Sequence, residues 1–187
     1  MSDKIQTQGE MQWVTYYGLD NADASRILKT VPGVRRVLPI LNQRKNVAHG
    51  DRDEDCQLLG TYPYYPEFTQ SKLVTGRFLN ETDENTKASS CVISLKLAGK
   101  LFAGHNPLLE HVVVQGFESK QVFRVVGILQ ERVDTEKLPQ LADAMGHTIS
   151  TNVYIPLSTF KALFGIKNID RSVGALSVEE VERIICH

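Results

Sequence analysis

Two β-rich runs, Val112–Phe117 and Val122–Leu129, flank the polar stretch Glu118-Ser119-Lys120-Gln121. No other part of the chain constrains its fold so tightly. A short polar turn between two such runs makes a hairpin, and a hairpin with one apolar face must be covered by further strands or helices. The other apolar segments are short as well: no apolar run exceeds five residues even counting glycine (Val125–Leu129 and 162–166). A membrane-spanning helix needs roughly 20. Met1–Glu10 is polar apart from Met1 and Ile5 and has no signal-peptide pattern. Read alone, the chain as it stands is expected to be soluble.

The remaining elements follow from local pattern. Met11–Tyr17 reads as a strand. Asp20 and Asp23 form a capping-box-like start to a helix whose stripe is Ala24, Ile27, Leu28 and Val31, with Pro32-Gly33 as its stop. Residues 34–47 are extended and bent at Pro39, residues 49–55 form a charged turn, and a strand resumes at 57–60. Residues 61–68 carry four of the 14 aromatics, and two prolines exclude a regular strand there. A polar loop follows Asp83 up to Ala88. Cys91–Ser94 is a strand, and Ser94 caps a helix with Leu97, Ala98, Leu101 and Phe102 on one face, closed by Gly104. Residues 130–151 lack a period of two and read as a mobile loop with at most a helical turn or two at 138–145. Asn152–Pro156 is a strand. Ser158 is expected to cap a helix with Phe160, Leu163 and Phe164 inward and Gly165 as the stop, and residues 178–185 read as helix. The fold class is α+β, a mixed, mostly antiparallel sheet with short helices.

Charge and motifs exclude several functions. With 21 Lys+Arg against 22 Asp+Glu, no basic field exists for nucleic acid and the composition is not that of a disordered chain. Gly99-Lys100 resembles a P-loop ending, but residue 94, where the first glycine belongs, is Ser94, and Gly99 lies inside a helix. Neither Gly-x-Gly-x-x-Gly nor Gly-x-Ser-x-Gly occurs. His105 and His111 bracket Glu110 at a spacing that fits no zinc motif, and read as loop histidines facing water. Cys56, Cys91 and Cys186 have no CxxC spacing. Cys56 and Cys91 read as small buried hydrophobes in strands, with neighbouring positions open, and Cys91 as a nucleophile would need a histidine beside it. No cofactor or metal is expected.

Two surface patches stand out. Arg35, Arg36, Arg44 and Lys45 form a basic cluster, suited either to lipid headgroups or an acidic partner, or to a solvated strand edge that discourages unwanted pairing. Tyr62, Tyr64, Tyr65 and Phe68 form either a recognition patch or a plug for the end of the core; the plug is the better reading.

The order of motifs is more telling than any one of them. Leu28…Val31-Pro-Gly-Val34 with Val37 and Pro39 comes first, then Leu59-Gly60-Thr61 with Pro63 and Tyr65. Leu73…Gly76-Arg77-Phe78-Leu79 with Asp83 follows, then Val92-Ile93, Leu101-Phe102 and Asn106-Pro107-Leu108. Phe123-Arg-Val-Val-Gly-Ile-Leu129 and Asn152-Val-Tyr-Ile-Pro-Leu-Ser-Thr159 close the series. This order resembles the extracytoplasmic core domain of MacB/FtsX-type ABC transporter permeases, over roughly Gly18 to Gly165.

The resemblance implies a domain between the first and second transmembrane helices of a four-helix permease, on the periplasmic or extracytoplasmic face of the bacterial inner membrane. It implies two intertwined subdomains, a porter-like βαβ part that 19–47 begins and an inserted β-rich part. The implied partners are the chain's own transmembrane helices, a permease dimer mate, a cytoplasmic ABC ATPase, and a periplasmic adaptor, lipoprotein or envelope protein. The implied role is mechanotransmission: rigid-body movement passed on without bond chemistry. The matching positions are Gly60, Tyr65, Gly76, Arg77, Phe78, Phe102, Phe123, Val126, Gly127 and Pro156, which fix a backbone path or fill a core. Two departures are visible. Leu109 stands where the family commonly has glycine, and only 22 residues follow Gly165, where the family continues into a return half. The expected division is therefore a membrane-proximal linker and first strand at 1–17, the core domain at 18–165, and a truncated or irregular tail at 166–187. The alternatives are a free-standing α+β ligand- or peptide-binding module and, far behind, a Cys/His hydrolase.

Overall fold

The computed structural model describes residues 4–7, 10–13, 15–17, 29–30, 37–116, 119–131, 151–165, 167–170, 177–180 and 182–186, with the strands before 29 and after 165 described as backbone only. The strands are β1 (Lys4–Thr7), β2 (Glu10–Trp13), β3 (Thr15–Tyr17), β4 (Val37–His49), β5 (Arg52–Thr61), β6 (Lys72–Gly76), β7 (Ser90–Ser94), β8 (His111–Gln115), β9 (Lys120–Gln130), β10 (Asn152–Pro156), β11 (Lys167–Asp170), β12 (Ser177–Glu180) and β13 (Glu182–Cys186). Among the described residues, Lys29 and Thr30 are helical and four short helices lie between the strands: α1 (Tyr65–Thr69), α2 (Glu81–Thr86), α3 (Leu95–Phe102) and α4 (Leu157–Phe164).

Six strands close into a barrel-like ring, in the order β4-β5-β10-β7-β9-β8 and back to β4. Closure depends on the length of β4 and β9. On one edge β4 pairs with β13 through residues 37–41 and with β8 through Val47 and Ala48. On one edge β9 pairs with β8 through 120–124 and with β6 through 127–130. The hairpin strand β8 is therefore the closing stave. Only β5–β10 and β7–β9 run parallel among the described pairings of this sheet. Apart from the ring, β1 pairs with β2, and β11, β12 and β3 form a three-stranded sheet.

Strand alternation divides the apolar residues between two faces. Inside the ring lie Leu58, Cys91, Ile93, Val112, Val114, Phe123, Val125, Val153 and Ile155, closed off by Leu97, Leu101 and Phe102 of α3 and Phe160 and Phe164 of α4. Outside, Leu38, Ile40, Leu59, Val92, Leu129 and Tyr154 form a second apolar layer covered by Tyr65, Phe68 and Leu79. Each fully buried Leu, Ile or Phe contributes about 1.5–3 kcal/mol, so both layers matter to stability.

Several local expectations are corrected. The charged turn shrinks to Gly50-Asp51, because β5 already begins at Arg52 and its acidic residues pair across to β4. The polar loop after Asp83 contains α2, which has no apolar stripe and is started by a capping box between Asn80 and Asp83. Ser158 does not cap α4; the cap position is Pro156, without a side-chain bond. Leu163 is 37% exposed and so does not face inward with Phe160 and Phe164. Helix α3 is closed by Ala103 in the left-handed region (φ 49°), one residue ahead of Gly104. The stretch 178–185 is not helix but most of β12 and β13, and β13 gains its ladder from β4. The expected helix from Asp20 and the expected mobile loop lie mostly outside the described residues.

Candidate functional site

Of the ten positions singled out in the sequence, Gly76, Arg77, Val126 and Gly127 come together where β6 leaves β9. Gly76 and Gly127 face each other in the β6–β9 register. Gly76 has φ 75°, and a Cβ on Gly127 would lie 2.1 Å from the Arg77 carbonyl oxygen, so no larger residue fits this crossing without backbone movement. The crossing is locked by the Arg77 N–H, which donates to the Val126 carbonyl at 2.9 Å.

The Arg77 side chain then forks onto Asp83, with Nη1–Oδ2 at 2.5 Å and Nη2–Oδ1 at 3.0 Å. Asp83 is nearly buried while the Arg77 side chain is 44% exposed. Burial alone would push the Asp83 carboxyl up; the Arg77 fork, the Asn80 N–H and Ser90 outweigh it and hold the carboxyl below its usual value. The hydrogen bonds to Asp83 raise the Arg77 guanidinium in turn. Asp83 also receives the Asn80 N–H at 3.0 Å, so one carboxylate starts α2 and anchors the crossing. Between them Phe78 packs on Tyr65 and Tyr154, with ring centroids 6.1 and 6.0 Å away.

Gly60 permits a second close approach, since its Cβ would meet Phe160 Cβ at 2.6 Å. Pro156 ends β10 and turns the chain into α4, while Phe123 lies buried inside the ring and Phe102 covers it from α3.

The basic cluster is divided. Arg44 and Lys45 fall on opposite faces of β4. Arg44 lies 3.7 Å from Asp55, and the Lys45 ammonium sits 5.6 Å over the Phe164 ring, where burial lowers its pKa. Arg35 and Arg36 lie outside the described residues. Tyr65 and Phe68 are buried in the outer layer, and the half-buried Tyr62 and Tyr64 stack on each other at 5.5 Å against the same layer.

Cys56 and Cys91 are both free thiols on β5 and β7, separated by β10. Burial pushes Cys56 up to about 11 and Cys91 higher, which keeps both protonated at neutral pH and removes the thiolate that a cysteine nucleophile needs. His105 and His111 are exposed, and no cluster of metal-ligating side chains occurs among the described residues.

Beside the glycine crossing, an open groove of about 460 Å³ is lined by Arg77, Asn106, Leu108, Leu109, Arg124 and Val126. Leu109 has φ 69° and is 67% exposed. Left-handed backbone costs a leucine roughly 1–2 kcal/mol. Motif reading did not single out this residue as a site, although its departure from glycine was the available signal.

The family model described as MacB-like periplasmic core domain matches residues 2–182. The pyoverdine export ATP-binding/permease protein PvdT of Pseudomonas aeruginosa is 26% identical over 174 residues, 90% of this chain and 24% of that protein. The macrolide export ATP-binding/permease protein MacB of Syntrophobacter fumaroxidans is 29% identical over 159 residues, 83% of this chain and 21% of that protein. The chain thus spans about a quarter or less of such relatives. Among solved structures, the extracellular domain of the noncanonic ABC-type transporter YknZ from Gram-positive bacteria has a TM-score of 0.62 at 21% identity, covering 90% of this chain and 72% of that one. The periplasmic region of MacB from Actinobacillus actinomycetemcomitans has a TM-score of 0.59 at 20% identity, covering 88% and 63%. These two likenesses concern the fold. No helix among the described residues is long and apolar enough to cross a membrane. With the family match running over nearly its whole length, the chain belongs to the MacB-like periplasmic core domain family, the periplasmic part of ABC transporter permeases.

Proposed function

We propose that this domain couples ATP-driven motion of a permease to envelope partners or substrate by moving as a rigid body, with no bond chemistry of its own. The observation that carries the reading is the closed ring: six strands without a free seam, packed inside and covered over much of the outside, deform less than an open sheet. The relatives named as ATP-binding/permease proteins supply the context. In this reading the core is residues 18–165, with 1–17 as the membrane-proximal lead and the porter-like part beginning at Leu19. The partners are the chain's own transmembrane helices, a permease dimer mate, the cytoplasmic ATPase, and an adaptor, lipoprotein or envelope protein.

The test is a staple across the closing seam. Ala48 and Val113 are register partners on β4 and β8. In the full-length permease, a disulfide between cysteines introduced at both positions should leave transport and its ATPase coupling unchanged, because a rigid body loses nothing by being fastened. Transport that stops on oxidation and returns on reduction would show that the ring opens during the cycle and would overturn the rigid-body reading.

A further inference from the structure

Leu109 is unfavourable on two counts, its left-handed backbone and its exposure, and the turn cannot relax. Its N–H donates to the Val125 carbonyl at 2.8 Å, and the Val125 N–H donates to the Glu110 carbonyl at 2.8 Å. An aliphatic side chain is therefore held in water on a fixed platform. Next to it, Val122, Arg124 and Val126 share the outward face of β9 at a period of two, and Val122 is 52% exposed. The charges of the groove differ in availability. Arg77 is committed to Asp83, whereas Arg124 is exposed and makes no ion pair with another described residue.

We infer that this face is a docking surface for an extended acidic–aliphatic segment of a partner protein. Its carboxylate would sit on the Arg124 guanidinium, and its flanking aliphatic side chains against Leu109 and Val122. The match is one of charge and spacing: a free guanidinium between aliphatic surfaces complements a carboxylate between aliphatic side chains. The inference rests on the coupling role only for where such a partner comes from; binding itself is a property of this chain.

The probe is a capped pentapeptide with glutamate at its centre and leucine at both ends, spaced by serines, titrated into the 15N-labelled 187-residue chain. Saturable amide shifts are expected at Leu109, Arg124 and Val126. Arg124→Glu should weaken the glutamate peptide by about tenfold or more and make the chain accept a lysine-centred version instead. Leu109→Gly should lower affinity several-fold while the melting temperature holds or rises, since glycine is at ease with φ 69°. A leucine with a purely structural role would not produce that opposition of signs. Shifts that are absent, equal for both peptides, unchanged by Arg124→Glu, or caused by concentration-dependent self-association overturn the inference. The coupling role, tested by the staple, would then still stand.

Discussion

The Glu84 carboxylate accepts the Ser158 backbone N–H at 3.0 Å, and the Ser158 hydroxyl donates back to the Glu84 carbonyl at 2.5 Å. A residue of α2 thus performs the service that α4 lacks from its own cap, satisfying an orphan N–H and placing negative charge at the helix start. Thr159 adds a bond to the Ala88 carbonyl at 3.1 Å, so α4 is fastened both to α2 and to the chain just beyond its end. Glu84→Ala should destabilise the chain by about 1–2 kcal/mol in denaturant titration. Glu84→Gln should recover part of that, because its amide oxygen still accepts the N–H. An alanine variant as stable as the parent would show that the contact carries no energy.

Two glycine substitutions should act in opposite directions. Gly127→Ala drives a Cβ to 2.1 Å from the Arg77 carbonyl oxygen and should cost about 2–3 kcal/mol, because β6 or β9 must shift. Gly99 lies inside α3 with nothing within 4 Å of an added Cβ. Gly99→Ala should therefore stabilise by about 0.5–1 kcal/mol through helix propensity alone. Equilibrium unfolding midpoints of the two variants, measured side by side, check both signs.

The Arg77–Asp83 fork gives stability an acid limb. The folded Asp83 carboxyl titrates below its ordinary value of 3.8. Its contribution is therefore complete above that value and is lost as the pH falls through the lower folded value. Arg77→Lys keeps the charge but not the planar fork and should lose about 1 kcal/mol near neutrality. The difference between parent and variant should shrink on acidification below 3.8; a difference that widens there would contradict this account.

These contacts also explain what was legible in the sequence. Strands β7 and β10 are short buried runs with clear bounds, β8 and β9 pair as a hairpin although Lys120 and Gln121, expected in its turn, already pair with Gln115 and Val114, and Ser94 accepts the Leu97 N–H as a cap should. Local pattern was enough for each. Helix α2 escaped because Glu81–Thr86 has no apolar residue, although Asn80 and Asp83 at the spacing of a capping box were a usable signal. The stretch around β12 and β13 was misread because its short apolar repeats fit either period, and the pairing of Arg183 with Ile40 lies 143 residues apart in the chain. The ring was equally hidden, since it needs the parallel pairs Leu58–Val153 and Ile93–Ile128 and the closing pair Val47–Val114, which no local pattern encodes. The site followed the same rule. Gly76 and Gly127 stood out as residue types, whereas the exposed Leu109 acquires its meaning from backbone geometry.

Glu131 should work against Asp83 in the pH profile. It accepts hydrogen bonds from the Tyr154 hydroxyl and the Asn152 amide just past the end of β9. Burial pushes its carboxyl above the ordinary value of 4.5, opposed only in part by the Asn152 bond. Below that value folded and unfolded states both hold the proton, and the group leaves stability unaffected by pH. As the pH rises past 4.5 the unfolded chain releases its proton first, so stability falls until the folded carboxyl ionises too. Glu131→Gln removes the titration while its amide oxygen still accepts both bonds. The variant should match the parent below pH 4.5 and exceed it at neutral pH, with a flatter stability profile between. Chemical denaturation across that range measures the gap directly, and a gap that stays constant with pH would rule out burial of this carboxyl as its source.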